Sequence, residues 1–251
     1  MLAAPTVAGA STANAVTGGA ELLYQAAPGE INNVGIKRDG VTDDLAPDSA
    51  ATRLEVSDAA GSVQITPQGD CRAPNGTMTP NYRVFCPVVG SLRLDLGDGD
   101  DLIGGHTASI PWVVLGGPGG DSIETGSGDD NLVGGADHDL LLGDEGNDTM
   151  LGQEGKDVFK DDLGDNRMVG AGSNDVFNEG TGDSSVSGGA GRDIGGDEGG
   201  ADRISLGAGN DRFHADDGDE ERSINCGPGE RDKVYVDSRD PRPSGCETVI
   251  D

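Results

Sequence analysis

The sequence has few large apolar and aromatic side chains. Of its 251 residues, 33% are hydrophobic and 3% are aromatic, and there is one tryptophan. A globular domain of this length normally contains more large side chains, so the composition argues against a conventional thick core. No apolar run is long enough to span a bilayer.

Basic residues are also scarce. The chain has 17 Lys and Arg against 46 Asp and Glu, which gives a formal charge of −29 at pH 7. Nucleic acids and anionic membrane surfaces need Lys and Arg partners, so this charge argues against both. Low hydrophobicity with high net charge is typical of disordered chains. The chain is therefore either disordered or neutralised by cations.

The number and spacing of the cysteines and histidines argue against a zinc site. The four cysteines contain no Cys-x-x-Cys pair, and there are three histidines. In an exported protein the natural pairing is local, Cys71 with Cys86 and Cys226 with Cys246. Four cysteines allow three connectivities, so this pairing is a preference.

Catalytic motifs are missing from the sequence. It contains no Gly-x-Ser-x-Gly elbow, no His-Glu-x-x-His, no P-loop and no Gly-x-Gly-x-x-Gly after a strand. The isolated His106, His138 and His214 are expected in exposed turns or strands rather than in a site. We therefore do not expect an enzyme.

A nine-residue repeat occupies residues 116–214. Eleven consecutive nonads follow one another without insertion or deletion. Position 4 is Gly in nine of them, the exceptions being Asp137 and Ser173. Position 8 is large and apolar in ten, and Gly195 alone breaks that column. This pattern predicts very short strands that each bury one side chain, joined by turns in which glycine adopts positive φ.

Position 6 carries the charge of the repeat. It is Asp in nine of the eleven nonads, the exceptions being Asn166 and Ser184. A row of like charges at successive turns is tolerable when a cation lies between the carboxylates. Oxygen ligands suit a hard cation, and flexible backbone carbonyls favour calcium over magnesium. The simpler alternative is that each Asp only caps its turn.

These residues resemble the RTX, or haemolysin-type calcium-binding, nonapeptide repeat, Gly-Gly-x-Gly-x-Asp-x-U-x, in which U is a large apolar residue. The resemblance covers residues 116–214 closely. It implies a parallel β-roll with two nonads in each 18-residue coil. It also implies that the Gly-Gly-x-Gly-x-Asp turns bind calcium and that the x-U-x segments form the strands.

An 18-residue coil divides the position-6 residues between two edges. One edge has only aspartates, Asp121, Asp139, Asp157, Asp175, Asp193 and Asp211. The other edge has Asp130, Asp148, Asn166, Ser184 and Asp202. We expect calcium along the whole first edge. On the second edge we expect ions to be lost or weakened near residues 166 and 184, because Asn and Ser supply no charge.

The first edge is expected to continue beyond the regular nonads. Asp101 lies 20 residues before Asp121, and Asp232 lies 21 residues after Asp211. Both are therefore expected calcium ligands in atypical terminal coils, since repeat arrays need caps at their ends.

The remaining chain is divided by its composition. Residues 1–15 read as the remnant of an export signal that ends in Ala13-Asn14-Ala15, although a basic start is missing. Residues 16–90 contain short strand patterns at 33–37, 53–56, 62–65 and 82–86, and form a β-rich N-terminal cap or a small separate β domain. The roll is expected over 91–240, and 241–251 form a C-terminal cap segment.

The sequence thus predicts an all-β protein, a parallel β-roll that binds several Ca²⁺ ions. We expect calcium-dependent folding of a secreted structural or surface protein. The alternatives are an adhesin or surface-binding module, and the non-catalytic calcium-binding part of an exported hydrolase. Calcium is the expected partner, without nucleic acid or a membrane span, and a protein or surface partner stays open.

Overall fold

The architecture comes from a computed structural model of the chain. It describes residues 90–251 except 106–109 and 230, and before residue 90 it describes the strands and residue 26. All described secondary structure is β-strand. The described residues contain no helix long and apolar enough to cross a membrane.

In the part of the chain that the structure describes, six strands precede the roll. They are β1 Thr12–Ala15, β2 Glu21–Gln25, β3 Asn33–Asp39, β4 Arg53–Asp58, β5 Thr66–Gly69 and β6 Arg83–Pro87. Three of the four strand patterns expected before residue 90 correspond to β3, β4 and β6. The fourth, at 62–65, lies outside the described residues, and a strand follows it as β5.

From residue 91 the chain alternates between two sheets. The first sheet takes β7 Ser91–Asp95, β9 Trp112–Pro118, β11 Asn131–Ala136, β13 Thr149–Glu154, β15 Arg167–Gly172, β17 Ser185–Gly191, β19 Arg203–Gly209 and β21 Ser223–Asn225. The second takes β8 Leu102–Gly105, β10 Ser122–Glu124, β12 Leu140–Leu142, β14 Val158–Lys160, β16 Val176–Asn178, β18 Ile194–Gly196, β20 Arg212–Ala215, β22 Lys233–Val236 and β23 Thr248–Ile250.

Each strand of the roll pairs in parallel with the strand one coil further along. In the second sheet Ile123 lies beside Leu141, and Leu141 lies beside Phe159, so the step is 18 residues. The step lengthens at the ends: Ile103 pairs with Ile123, and Phe213 with Val234. The parallel β-roll with two nonads per coil is confirmed.

Position 8 forms the core of the roll. All ten large apolar side chains in this column are at most 1% exposed. The rings of Phe159 and Phe177 stack with centroids 4.8 Å apart. At Gly195, which breaks the column, an added Cβ would lie 2.5 Å from the nearest ring atom of Phe213 and 3.0 Å from the Cβ of Phe177. The neighbouring aromatic rings therefore fill the space that a position-8 side chain would otherwise take.

The N-terminal strands continue both sheets. In parallel pairs, β2 lies beside β7 and β3 beside β8. Beyond them, β1 pairs antiparallel with β2, β3 with β4, and β4 with β6, so the parallel array ends in antiparallel strands. The Ala-x-Ala motif lies in β1, so cleavage after Ala15 would remove a strand that also pairs with β5.

A disulfide closes the C-terminal end. Cys226 and Cys246 are bonded across 20 residues, as expected. Cys226 is fully buried in the apolar core, beside the last coils. Cys71 lies outside the described residues, as does the side chain of Cys86, so their expected pairing stays a prediction.

Candidate metal centre

The position-6 side chains lie where the chain passes from one sheet to the other. The continuous row precedes strands of the second sheet and consists of Asp101, Asp121, Asp139, Asp157, Asp175, Asp193, Asp211 and Asp232. The interrupted row precedes strands of the first sheet and consists of Asp130, Asp148, Asn166, Ser184 and Asp202. All thirteen side chains are at most 3% exposed.

One carboxylate oxygen of each aspartate joins two coils. The amide of Asp121 donates to Oδ1 of Asp139 at 2.8 Å, and the amide of Asp139 donates to Oδ1 of Asp157 at 3.0 Å. The same bond recurs along the continuous row, from the amide of Asp101 to Oδ1 of Asp232. Oδ1 therefore has the turn-capping role that the simpler interpretation of the Asp column predicts.

The second oxygen has a different environment. Along the regular nonads of the continuous row, Oδ2 is buried and receives no hydrogen bond from the described residues. These oxygens belong to Asp121, Asp139, Asp157, Asp175, Asp193 and Asp211. A buried charged oxygen without a donor is costly, and a bound cation satisfies it.

Glycine at position 1 makes room for this oxygen. A Cβ added at Gly134 would collide with Oδ2 of Asp139, and one added at Gly152 would collide with Oδ2 of Asp157. Since a buried carboxylate oxygen without a donor recurs in each regular coil of the continuous row, the donor set fits Ca²⁺.

Burial and like charge act on the same carboxyl groups. Loss of hydration raises the pKa of Asp121, Asp139, Asp148 and Asp175 to about 7, from an ordinary value of 3.8. The charges of neighbouring carboxylates, including those one coil away, contribute to this rise, whereas the hydrogen bond from a backbone amide lowers the pKa. A divalent cation between the coils would remove the repulsion and favour the ionised form.

The interrupted row keeps its hydrogen bonds and loses charge. The amide of Asp148 donates to Oδ1 of Asn166 at 2.8 Å, and the amide of Asn166 donates to Oγ of Ser184 at 3.0 Å. The amide of Ser184 then donates to Oδ1 of Asp202 at 2.6 Å. Asn166 and Ser184 therefore accept the same hydrogen bond between coils as the aspartates do. Neither supplies a second, charged oxygen without a donor.

Several acidic residues beside the interrupted row were not expected from the sequence. Asp161, Glu179 and Asp197 occupy position 1 of successive nonads on this edge, and Asp161 and Glu179 are 3% and 2% exposed. Glu221 continues the row after Asp202, whose amide donates to Oε2 of Glu221 at 2.6 Å. In the sequence, Asp161, Glu179 and Asp197 are distinguished by a carboxylate at position 1, which is otherwise mostly glycine.

The ends of the continuous row follow the expected spacing. The amide of Asp101 donates to Oδ1 of Asp121 at 2.9 Å, and the amide of Asp211 donates to Oδ1 of Asp232 at 2.9 Å. Glu247 ends the row by accepting the amide of Asp232 at 2.8 Å. The irregular coils therefore keep the same hydrogen bond although their steps are 20, 21 and 15 residues long.

The described histidines lie outside these rows. His138 is exposed, and its Nδ1 accepts the amide of Lys156 at 2.9 Å. His214 stacks on Tyr235 with ring centroids 4.0 Å apart. His106 lies outside the described residues.

The fold and the rows together define a class of protein, a parallel β-solenoid whose turns present buried carboxylates to cations. Comparison with protein families gives one match: the RTX calcium-binding nonapeptide repeat, in 4 copies, matches residues 115–150, 151–178 and 197–220. These segments carry RTX-type repeats in a parallel β-roll, and repeats of this type bind Ca²⁺. Searches of curated proteins and of solved structures found no match.

Proposed function

We propose that this chain is an exported structural or surface protein that folds when several Ca²⁺ ions bind the position-6 carboxylates. The ligands are the eight aspartates of the continuous row together with Asp130, Asp148 and Asp202. The observation that carries this proposal is the repeated Oδ2, buried and without a donor in each regular coil of the continuous row. RTX repeats are typically non-catalytic, and we propose no enzymatic activity.

Calcium binding and folding are coupled through the same side chains. The chain carries a formal charge of −29, and its buried carboxylates repel one another without a cation. An ion that binds only the folded roll stabilises it by mass action, so binding energy becomes folding energy. The roll would stay loose where calcium is scarce and would fold where calcium is near millimolar, as it is outside cells.

Two features support export. The Ala13-Asn14-Ala15 motif is typical of a signal cleavage site, and the Cys226–Cys246 disulfide is typical of an oxidising compartment. We propose the corresponding layout: a signal remnant at 1–15, an N-terminal β cap at 16–90, the roll at 91–240, and a C-terminal cap segment at 241–251.

A calcium titration of chelated protein, followed by far-UV circular dichroism, tests the proposal. We expect β signal to appear cooperatively with calcium and not with magnesium, because Mg²⁺ demands near-ideal octahedral geometry and dehydrates reluctantly. A spectrum that is already folded in chelator and unchanged by calcium would show that the Asp column only caps turns. The protein would then be a static scaffold.

One observation favours a second function, binding to an anionic surface. Arg192, Arg212, Arg231 and Lys233 line an open concavity of about 500 Å³ on an otherwise acidic chain. Four cations in one concavity attract sulfate or carboxylate groups of a surface polymer. Salt-sensitive binding of calcium-loaded protein to a sulfated polysaccharide, weakened by R212A/R231A, would support this adhesin-like role. Equal binding by both proteins would exclude this concavity as the binding surface.

A further inference from the structure

Carboxylates on the interrupted edge change position where the repeat loses its aspartate. The nonad 161–169 has Asn166 at position 6 and Asp161 at position 1, and the nonad 179–187 has Ser184 at position 6 and Glu179 at position 1. On the other edge, the five nonads that begin between residues 116 and 188 all combine Gly at position 1 with Asp at position 6. In these two nonads, loss of charge at position 6 coincides with gain of charge at position 1, and the next nonad on this edge has carboxylates at both positions, Asp197 and Asp202.

The two positions supply oxygen to the same space. An ideal Cβ at Gly143, a position-1 glycine, would collide with Oδ2 of Asp148 and would lie 2.9 Å from Oδ2 of Asp161 in the next coil. Oxygen from position 1 of one coil therefore reaches the place occupied by oxygen from position 6 of the preceding coil. A carboxylate at either position can face an ion on this edge.

Glu179 is the most enclosed member of this set. It is 2% exposed, and its Oε1 accepts the hydroxyl of Ser184 at 2.6 Å. Its Oε2 is buried and receives no hydrogen bond from the described residues. The serine that interrupts the row thus orients the glutamate, and the other glutamate oxygen is left facing its acidic neighbours.

Those neighbours converge at metal-ligand spacing. Single oxygens of Glu179, Asp197 and Asp202 lie within 4.8 Å of one another, and oxygens of Asp197, Asp217 and Glu221 do the same. Two ligands on one Ca²⁺ are separated by up to about 5 Å, twice the usual 2.3–2.6 Å bond. The three oxygens of each group could therefore share one Ca²⁺ ion.

Asp197 belongs to both groups. Neither of its carboxylate oxygens receives a hydrogen bond from the described residues. It shares the first group with Glu179 and Asp202 and the second group with Asp217 and Glu221. Carboxylates crowded in this way need a proton or a metal ion between them.

We propose that Glu179, Asp197, Asp202, Asp217 and Glu221 form a two-ion calcium centre bridged by Asp197. This Asp197 centre differs from the turn sites of the repeat because its ligands include position 1. It lies partly in residues 179–196, which the family match leaves out. The inference rests on the proposed calcium function. It replaces the expected weakening of ions near Ser184 with a different set of ligands.

Ion counting on matched variants tests the Asp197 centre. The variant E179Q/D197N removes two charges there, and its amides retain the side-chain volume. The control D165N/E198Q removes two charges at exposed positions on the same edge. After equilibrium dialysis at a calcium concentration that saturates the wild type, we expect E179Q/D197N to hold about two fewer ions. The control is expected to hold the wild-type number.

A third variant distinguishes the absence of ions at the Asp197 centre from the absence of calcium binding by the repeat. The variant D139N/D175N alters only the continuous row, so it should lose turn ions and keep those of the Asp197 centre. If the wild type binds no calcium, the proposed function fails. If D139N/D175N loses ions while E179Q/D197N matches the wild type, the Asp197 centre alone is overturned.

Crystallography gives a result that does not depend on the variants folding. Anomalous scattering from calcium-loaded wild-type crystals should show two ions in contact with Asp197, one shared with Glu179 and one shared with Glu221. Ions at the continuous row with none at Asp197 would overturn the inference.

Discussion

Replacing Asp175 with asparagine separates the two roles of a position-6 carboxylate. Oδ1 of Asp175 accepts the amide of Asp157 at 2.9 Å, whereas Oδ2 is buried without a partner. Asparagine keeps the acceptor and removes the charge. Asn166 provides the precedent, since its Oδ1 accepts the amide of Asp148 at 2.8 Å and its Nδ2 donates to the carbonyl of Gly164 at 3.0 Å.

Without calcium, D175N should stabilise the roll at pH 8. Burial raises the pKa of Asp175 from 3.8 to about 7, which corresponds to a preference of at most about 4 kcal/mol for the uncharged side chain. Screening by water at the surface of the roll lowers this value, so we expect a gain of about 2 kcal/mol. The folding of metal-free protein driven by the osmolyte TMAO measures it, because osmolytes strengthen effective burial.

With calcium, the same substitution should destabilise the roll. An ion present at 100 times its dissociation constant contributes about 2.7 kcal/mol to stability, and removal of a charged ligand forfeits much of that contribution. Urea unfolding in saturating calcium measures this loss. We therefore expect a single substitution with opposite signs in the two conditions.

The matched control is D165N, which makes the same chemical change at position 5. Asp165 is exposed, and its Oδ1 accepts the amide of Asp183 at 2.9 Å, so asparagine keeps that bond as well. Surface changes of this kind usually stay within about 0.5 kcal/mol in both conditions. If D175N changed stability with the same sign with and without calcium, or matched D165N in both, the ligand role of Oδ2 would be refuted.

The raised pKa values of the position-6 carboxyls predict that acid partly replaces calcium in metal-depleted buffer. Their contribution to stability is fully present below about pH 4 and is lost as the pH rises through about 7, so circular dichroism should show more β structure at pH 5 than at pH 8. Equal spectra would contradict this. Replacing Cys226 and Cys246 with serine should cost about 3 kcal/mol in saturating calcium, because the bond closes a 20-residue loop; an unchanged urea midpoint would show that the disulfide is dispensable. Replacing Gly155 with alanine should cost about 2 kcal/mol or more, since its φ is 149° and a Cβ would collide with the carbonyl of Asp137. The control G172A, whose Cβ would meet nothing closer than 3.8 Å, should be nearly neutral, and similar losses for both would refute the steric argument.

The regular repeat made the roll predictable from the sequence. Position 8 recurs every nine residues, so the sequence alone identifies the apolar core side chains between Ile123 and Phe213. Constant spacing also aligns the position-6 residues, because a register shift in any coil would break both columns. The pairing of β2 with β7 and of β3 with β8 was not predictable, since no repeat links these strands to the roll.

Single columns of the repeat do not identify all the acidic residues that join the two rows. Asp161 and Glu179 stand in a column whose usual glycine has a structural role, and the sequence does not show that position 1 of one coil faces position 6 of the coil before it. Glu221 lies 19 residues after Asp202, and Glu247 lies 15 residues after Asp232, so neither follows the 18-residue step that identifies the other members of the rows. Three-dimensional stacking is needed to bring these residues together.

The separate roles of Oδ1 and Oδ2 predict that calcium-dependent folding is cooperative. Oδ1 joins a coil to the preceding one, whereas Oδ2 is buried without a donor and is a ligand in the proposed function, so stacking of a coil and completion of its ion site would occur together. Stability in repeat arrays comes largely from interfaces between neighbours. Since each ion would stabilise such an interface, a bound ion favours the next coil and its ion. Replacing an aspartate in the middle of the continuous row should therefore reduce the cooperativity of the calcium transition more than replacing Asp232 at its end.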